Sequence, residues 1–334
     1  MKQRTAVRSG GHHFRDNLSR YFSFSAIVIL LVGLSINQPE FLGKANLTNL
    51  LRDTAPLMIM SAGMTLVLIF GSIDLSMGAA CSVANVMFVK FIVTYGPGFS
   101  SVGAATLTAV LLTLLFGAAS GFLMGFIHVR LKVPSFIASL GFMSIWQSTA
   151  LLLSENPIPV SKAMWGAINW YKLSIGVVGL PIILAVVLIV ALYFVCRCTA
   201  MGKSVFSIGG NERCARIAGI NVDRTKILVF GLNGILAALA GIFLAAKLKS
   251  CSPTVGDPFT LQIVAACALG GTSLAGGKGS ELGTILGVFT VAIIQNGMNS
   301  IGVSAYWQNV VFGVFVLVAI AMTVDRRSRG LIVK

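Results

Sequence analysis

Few side chains in this sequence can do chemistry, and those few fall into three groups. The first is Asp74, in Gly71-Ser72-Ile73-Asp74-Leu75-Ser76, the only acid in the predominantly apolar stretch 54–94. A carboxylate in such a run is costly to bury. It marks either a pathway group or a cap that, with Ser76, closes the start of the next helix. The second group is amides: Asn85, Gln147, Asn233, Gln295, Asn296 and Asn299 all fall within apolar runs. An amide both donates and accepts, which suits a polar, uncharged solute and equally suits hydrogen bonding between helices.

The third group is Asn211-Glu212-Arg213-Cys214-Ala215-Arg216-Ile217-Ala218-Gly219. Asn211 can cap a helix, Glu212 suits its first turn, and Gly219 stops it, which predicts a helix of about two turns outside the membrane. Arg213 and Arg216 are three apart and share one face. Cys214, Ile217 and Ala218 make an apolar one. Such a helix either rests on anionic lipid or docks a cytoplasmic partner, and the long glycine-bounded loop 196–225 favours docking.

Other chemistries lack their residues. Gly202-Lys203-Ser204 has Arg197 where a phosphate-binding loop needs its first glycine; Gly277-Lys278 has Thr272 there and Gly279 after it. There is no H-E-x-x-H, no C-x-x-C and no acidic cluster at metal spacing, so no enzyme, metal or cofactor role is predicted for this chain.

The elements that must position these groups are membrane helices. Of 334 residues, 56% are hydrophobic and only 10% are charged, with a mean hydropathy of +0.90. That leaves too little polar surface for water, since soluble domains carry about 25% charged residues. Ten candidate spans follow, at 22–38, 54–72, 77–94, 101–127, 134–153, 175–195, 226–246, 260–275, 281–300 and 306–324, within one transmembrane domain at 22–324. The net charge of +15 does not point to nucleic acid, because the basic residues lie in short segments between apolar runs. With the N-terminus inside, 18 of the 25 lysines and arginines fall in inside segments, including the N-terminal segment 1–21 and the tail 325–334. Both termini are therefore expected in the cytoplasm of a bacterial-type inner membrane. The stretch 154–174, with Trp165, Trp170 and Tyr171, is expected along the outer surface.

Glycine supplies the packing. Gly117, Gly121 and Gly125 form a double G-x-x-x-G in the fourth candidate span, and Gly279, Gly283 and Gly287 another at the ninth. Spans five apart and oppositely directed fit two five-helix inverted halves; chance spacing among 36 glycines is the other reading.

Five ordered blocks carry a resemblance. They are Ala62-Gly63-Met64-Thr65-Leu66-Val67 with Ser72-Ile73-Asp74-Leu75-Ser76; Phe136-Ile137-Ala138-Ser139-Leu140; Ser207-Ile208-Gly209-Gly210-Asn211 through Val222; Leu269 through Gly279; and Asn296-Gly297. Over nearly its full length the chain resembles the permease subunits of ABC importers for ribose and related monosaccharides. The resemblance implies a translocation pathway for a monosaccharide or small polyol. It also implies a second permease chain, identical or homologous, cytoplasmic ATPase subunits carrying ATP-Mg, and a periplasmic or extracellular sugar-binding protein. The loop before the seventh span would contact the ATPase. Two departures stand out: Ser72 replaces a usual glycine, and Thr260-Leu261-Gln262 replaces a usual Glu-Leu-Asp. An ion-coupled secondary transporter, with Asp74 as the coupling group, is the alternative expectation.

Overall fold

In the computed structural model, which describes residues 39–323, the second candidate span forms the axis of the bundle. This helix, α1 (Lys44–Ile69), is buried at every residue from Thr54 to Ile69. Pro56 within it has no amide hydrogen, which leaves the carbonyl four residues earlier without a helical donor. That carbonyl, on Arg52, accepts from the Tyr171 hydroxyl at 2.9 Å, and Arg52 Nη2 in turn donates to the Lys172 carbonyl at 2.8 Å. The proline break thus pins the segment 154–174 to α1. Trp170 packs edge-on against Phe243 at 4.9 Å, so its ring is turned into the bundle.

The remaining helices are α2 (Met77–Tyr95), α3 (Val102–Arg130), α4 (Ser135–Leu153), α5 (Leu180–Cys198), α6 (Ala200–Gly210), α7 (Glu212–Ile217), α8 (Val222–Leu248), α9 (Phe259–Leu269), α10 (Glu281–Ser300) and α11 (Ala305–Thr323). A two-residue hairpin, Ser174–Ile175 with Val178–Gly179, precedes α5 and delays its start beyond the expected 175. Among the described residues, seven helices are long and apolar enough to cross a membrane: α1 to α5, α8 and α10. The eighth candidate span does not reach that length. Its helix, α9, has 11 residues and stops at Gly270-Gly271, where Gly271 is left-handed at φ 84°. At 1.5 Å per residue it covers about 16 Å, roughly half a hydrocarbon core. The candidate first span at 22–38, the segment 1–21 and the tail 325–334 lie outside the described residues.

The helix pairings follow a pattern. α3 packs on α8, and α10 on α1; α2 packs on α8, and α9 on α1; α2 packs on α3 and α4, and α9 on α10 and α11. Each pairing maps onto its counterpart when every span is advanced by five, and the α1–α8 contact maps onto itself.

The first glycine ladder seats α3 on α8. A Cβ at Gly121 would lie 2.9 Å from both Gly231 Cα and the Phe230 carbonyl carbon. In lipid, backbone approach of this kind is a main source of helix attraction. Gly121→Leu is therefore expected to lower the thermal stability of the detergent-solubilised chain, by an overpacking cost of about 1–3 kcal/mol or more. Gly141→Ala on α4, where a Cβ meets nothing within 4 Å, is expected to leave it unchanged. The second ladder grips a different neighbour: Gly283 and Gly287 abut Ala266 of α9 and Gly270 just beyond its end.

Candidate functional site

Three sites emerge, one within the bundle and one at each end. Within it, the turn between α1 and α2 carries Asp74, which is 4% exposed. Its Oδ1 accepts from the Ser76 amide at 2.9 Å and the Ser76 hydroxyl at 2.6 Å, while Oδ2 accepts from Asn233 Nδ2 at 2.8 Å. Asp74, Ser76 and Asn233, read separately in the sequence, are one buried cluster tying the turn to α8. Asp74 closes the turn rather than the helix itself: Ser76 is the N-cap of α2, and no side chain bonds to that helix's free amides.

The other amides divide by use. Asn85 is fully buried, donating to the Gly241 carbonyl at 3.1 Å and accepting from the Ser252 amide at 2.9 Å. Both bonds are to backbone, the helix-joining use that the sequence also allows for such an amide. Gln147 on α4 reaches Asp257 Oδ1 at 3.4 Å, and burial pushes the Asp257 carboxyl above its ordinary range. Asn296 pairs reciprocally with Asn46 at 3.0 and 3.2 Å, and Asn299 accepts from Gln308 at 2.7 Å.

Asn296 and Asn299 also line a small cleft of about 100 Å³ at one end of the bundle. The same cleft holds Gln295, Phe259 and the ion pair Lys247–Asp53 at 3.0 Å. Asp53 and Lys247 were not singled out as site residues from the sequence. They lie 194 positions apart, and only the packing of α1 against α8 brings them together.

At the opposite end, α7 matches its expected form. The Asn211 side chain accepts from the Cys214 amide at 3.0 Å, and Gly219 ends the segment at φ 84°. Arg213 and Arg216 are not equivalent. Arg216 bonds Glu212 at 3.3 Å and Asp223 at 3.1 Å, while Arg213 makes no ion pair among the described residues. Lys226 bonds Glu212 at 2.8 Å, and with Arg216 it holds the Glu212 carboxyl below its usual range. These links brace α7 against α8, and Ile217 stands 79% exposed on it.

A glycine junction connects α7 to the interior. The Gly277 amide donates to the Ile69 carbonyl, the last residue of α1, at 2.7 Å. Gly209, near the end of α6 and two residues before Asn211, packs onto both groups. Gly276, left-handed at φ 87°, lies against Gly71 and Gly209. The end of α1, the loop 270–280 and the start of the α7 segment therefore meet at one point.

Residues 46–320 match the family described as branched-chain amino acid transport system / permease component. The chain is 34% identical to the ribose import permease protein RbsC of Bacillus subtilis (strain 168), over 95% of each chain. It is 37% identical to the probable ABC transporter permease protein YphD of Escherichia coli (strain K12), covering 91% of this chain and 89% of that one. It is 29% identical to the xylose transport system permease protein XylH of the same strain, over 94% of each. No solved structure matches.

Proposed function

We propose, from the premise that this chain belongs to the family of branched-chain amino acid transport system permease components, that it forms the translocation pathway of an ATP-driven importer for a monosaccharide or related small polyol. The observation that carries this reading is similarity over nearly the whole chain to relatives named for ribose import and xylose transport. The ion-coupled alternative is set aside, because the family is that of permease components and not of self-sufficient carriers.

The partners follow from the reading. A second permease chain, identical or homologous, completes the pathway, and a sugar-binding protein delivers solute from outside. Cytoplasmic ATPase subunits bind ATP-Mg and dock on Asn211–Gly219, with the chain in the inner membrane and both termini cytoplasmic. An exposed Ile217 beside an unpaired Arg213 suits a protein surface with an apolar pocket and an acidic rim. The glycine junction gives movement of α7 a short mechanical route to α1 and to the Asp74 turn. The corresponding helix pairings support two five-helix inverted halves, a design that lets one half rock against the other around a central path.

The test is co-purification of the tagged chain from native membranes in mild detergent, then uptake by the reconstituted complex. Recovery of a cytoplasmic ATPase, and ATP-dependent accumulation of a pentose or hexose when its binding protein is added, is the expected result. Absence of any ATPase, under conditions that preserve a known ABC complex, would sink the reading. Within the complex, Arg213→Glu is expected to reduce ATPase recovery by about tenfold, the effect of ~1.4 kcal/mol at an interface. Arg213→Glu combined with Arg216→Glu should remove it. If uptake and assembly survive the double change, α7 is not the docking element.

A further inference from the structure

At the end of the bundle away from α7, Arg52, Lys172 and Lys249 come together without an acid among them. Arg52 Nη2 bonds the Lys172 carbonyl at 2.8 Å, and Lys249 Nζ sits 4.6 Å from the centre of the Trp165 ring. The neighbouring Lys172 ammonium holds the Lys249 ammonium below its ordinary pKa range. None of the three makes an ion pair among the described residues, and Asp53, next to Arg52 in the chain, is already paired with Lys247 at 3.0 Å. Like charges this close repel, and an anion held between them removes that cost. Lys249 also caps α8 in a left-handed backbone at φ 57°, where glycine is the unstrained residue.

Beside these cations lies the two-residue hairpin, and its side chains are apolar. Leu173, Ile175 and Val178 are all exposed, Ile175 by 78%. The Leu180 amide donates to the Leu173 carbonyl at 2.8 Å, so the hairpin closes on the first residue of α5. That helix has 19 residues and a length of about 28 Å, close to the ~30 Å of a hydrocarbon core. Its start therefore falls at the edge of the hydrocarbon, and the hairpin and lysines fall at headgroup level. Leu184 and Val187, three apart on α5, continue the exposed apolar surface into the membrane.

We propose that this corner of the fold binds one anionic phospholipid, its phosphate held by Lys172 and Lys249 and its acyl chains lying along the hairpin and the exposed face of α5. The site is independent of which solute the chain carries. A phospholipid supplies both halves of the chemistry, an anion and a pair of hydrocarbon chains, whereas a free phosphate supplies only the first. A zwitterionic headgroup brings its own cation and does not relieve the lysine pair. A soluble protein would have to reach its apolar contacts on α5 through the bilayer. Once bound, the lipid fastens the hairpin beside the segment that Tyr171 pins to α1.

The experiment is hydrogen exchange on the full chain in nanodiscs of phosphatidylcholine, with and without phosphatidylglycerol of the same acyl chains. Phosphatidylglycerol is expected to slow exchange across 173–180 by about tenfold, the effect of a site about nine-tenths occupied. Raised salt should reverse part of the slowing, because exposed charges are screened. Lys172→Gln with Lys249→Gly should abolish the slowing without lowering thermal stability, since glycine relieves the left-handed backbone. Arg130→Gln with Lys203→Gln removes the same charge at the other end of the bundle and should leave the slowing intact. Equal exchange in the two lipids would overturn the site, as would slowing that persists in the Lys172 and Lys249 variant. Equal slowing by sodium phosphate in phosphatidylcholine alone would show an anion site without lipid, and overturn it too. Slowing produced by a binding protein or a second copy of the chain, and not by phosphatidylglycerol, would make this a protein-docking surface and overturn it.

Discussion

Asp74→Ala is expected to abolish accumulation of folded chain, and Asp74→Asn to preserve it. The alanine leaves three buried donors without an acceptor: the Ser76 amide, the Ser76 hydroxyl and Asn233 Nδ2. Each orphaned group costs about 1–3 kcal/mol, and three together approach a typical total stability of ~5–15 kcal/mol. Asparagine keeps the oxygen that Ser76 needs. It loses one acceptor, facing Asn233, whose own Oδ1 has no partner and could receive the new amide hydrogen after a flip. The measurement is the folded fraction after solubilisation, followed by uptake. Wild-type yield for Asp74→Ala would show that the cluster does not hold the turn. The asparagine variant also separates roles. A structural carboxylate tolerates the change with uptake intact, whereas a group that must ionise during transport does not.

The Asp74 result illustrates what was readable in the sequence. The residue and its two competing roles were visible as an isolated acid in an apolar run, but Asn233 as its partner was not. The two lie 159 positions apart, and no local pattern couples them. The α7 segment was legible to its caps because capping is local: Asn211, Glu212 and Gly219 act within one short helix. The braces from Arg216 to Asp223 and from Lys226 to Glu212 were not, since they depend on how α7 folds back on α8. Among the described residues hydropathy found the seven long helices, but it began α1 at 54 where the helix starts at Lys44, and it overextended α9. The candidate at 260–275 carries its apolar residues up to Leu269, while Gly270-Gly271 and the left-handed backbone end the helix after 11 residues. Asn85 shows the opposite limit. An amide in an apolar helix can face solute or a neighbouring backbone, and only the position of Gly241 and Ser252 decides.

The glycine junction leads to the second large effect: Gly209→Ala is expected to uncouple ATP hydrolysis from uptake while Gly210→Ala is silent. Both residues close α6, and alanine favours a helix over glycine by about 1 kcal/mol, so local propensity argues that both changes help. Their surroundings differ. A Cβ at Gly210 meets nothing within 4 Å, whereas one at Gly209 would fall 2.6 Å from the Gly277 amide nitrogen and 2.9 Å from the Ile69 carbonyl carbon. Those two residues share the 2.7 Å bond that joins the loop 270–280 to the end of α1. Both neighbours are backbone and cannot swing aside, so the loop or α6 must move away. Because α7 begins just beyond, that displacement breaks the short route from α7, the proposed docking element, to the Asp74 turn. Uptake per ATP hydrolysed is expected to fall at least about tenfold, a coupling loss of ~1.4 kcal/mol, with ATPase recovery unchanged. The check is both rates in the same proteoliposomes, with thermal stability measured on each variant. Equal coupling in Gly209→Ala and Gly210→Ala would mean that the junction is only a packing contact. A fall in ATPase recovery would instead mean that Gly209 shapes the docking surface itself.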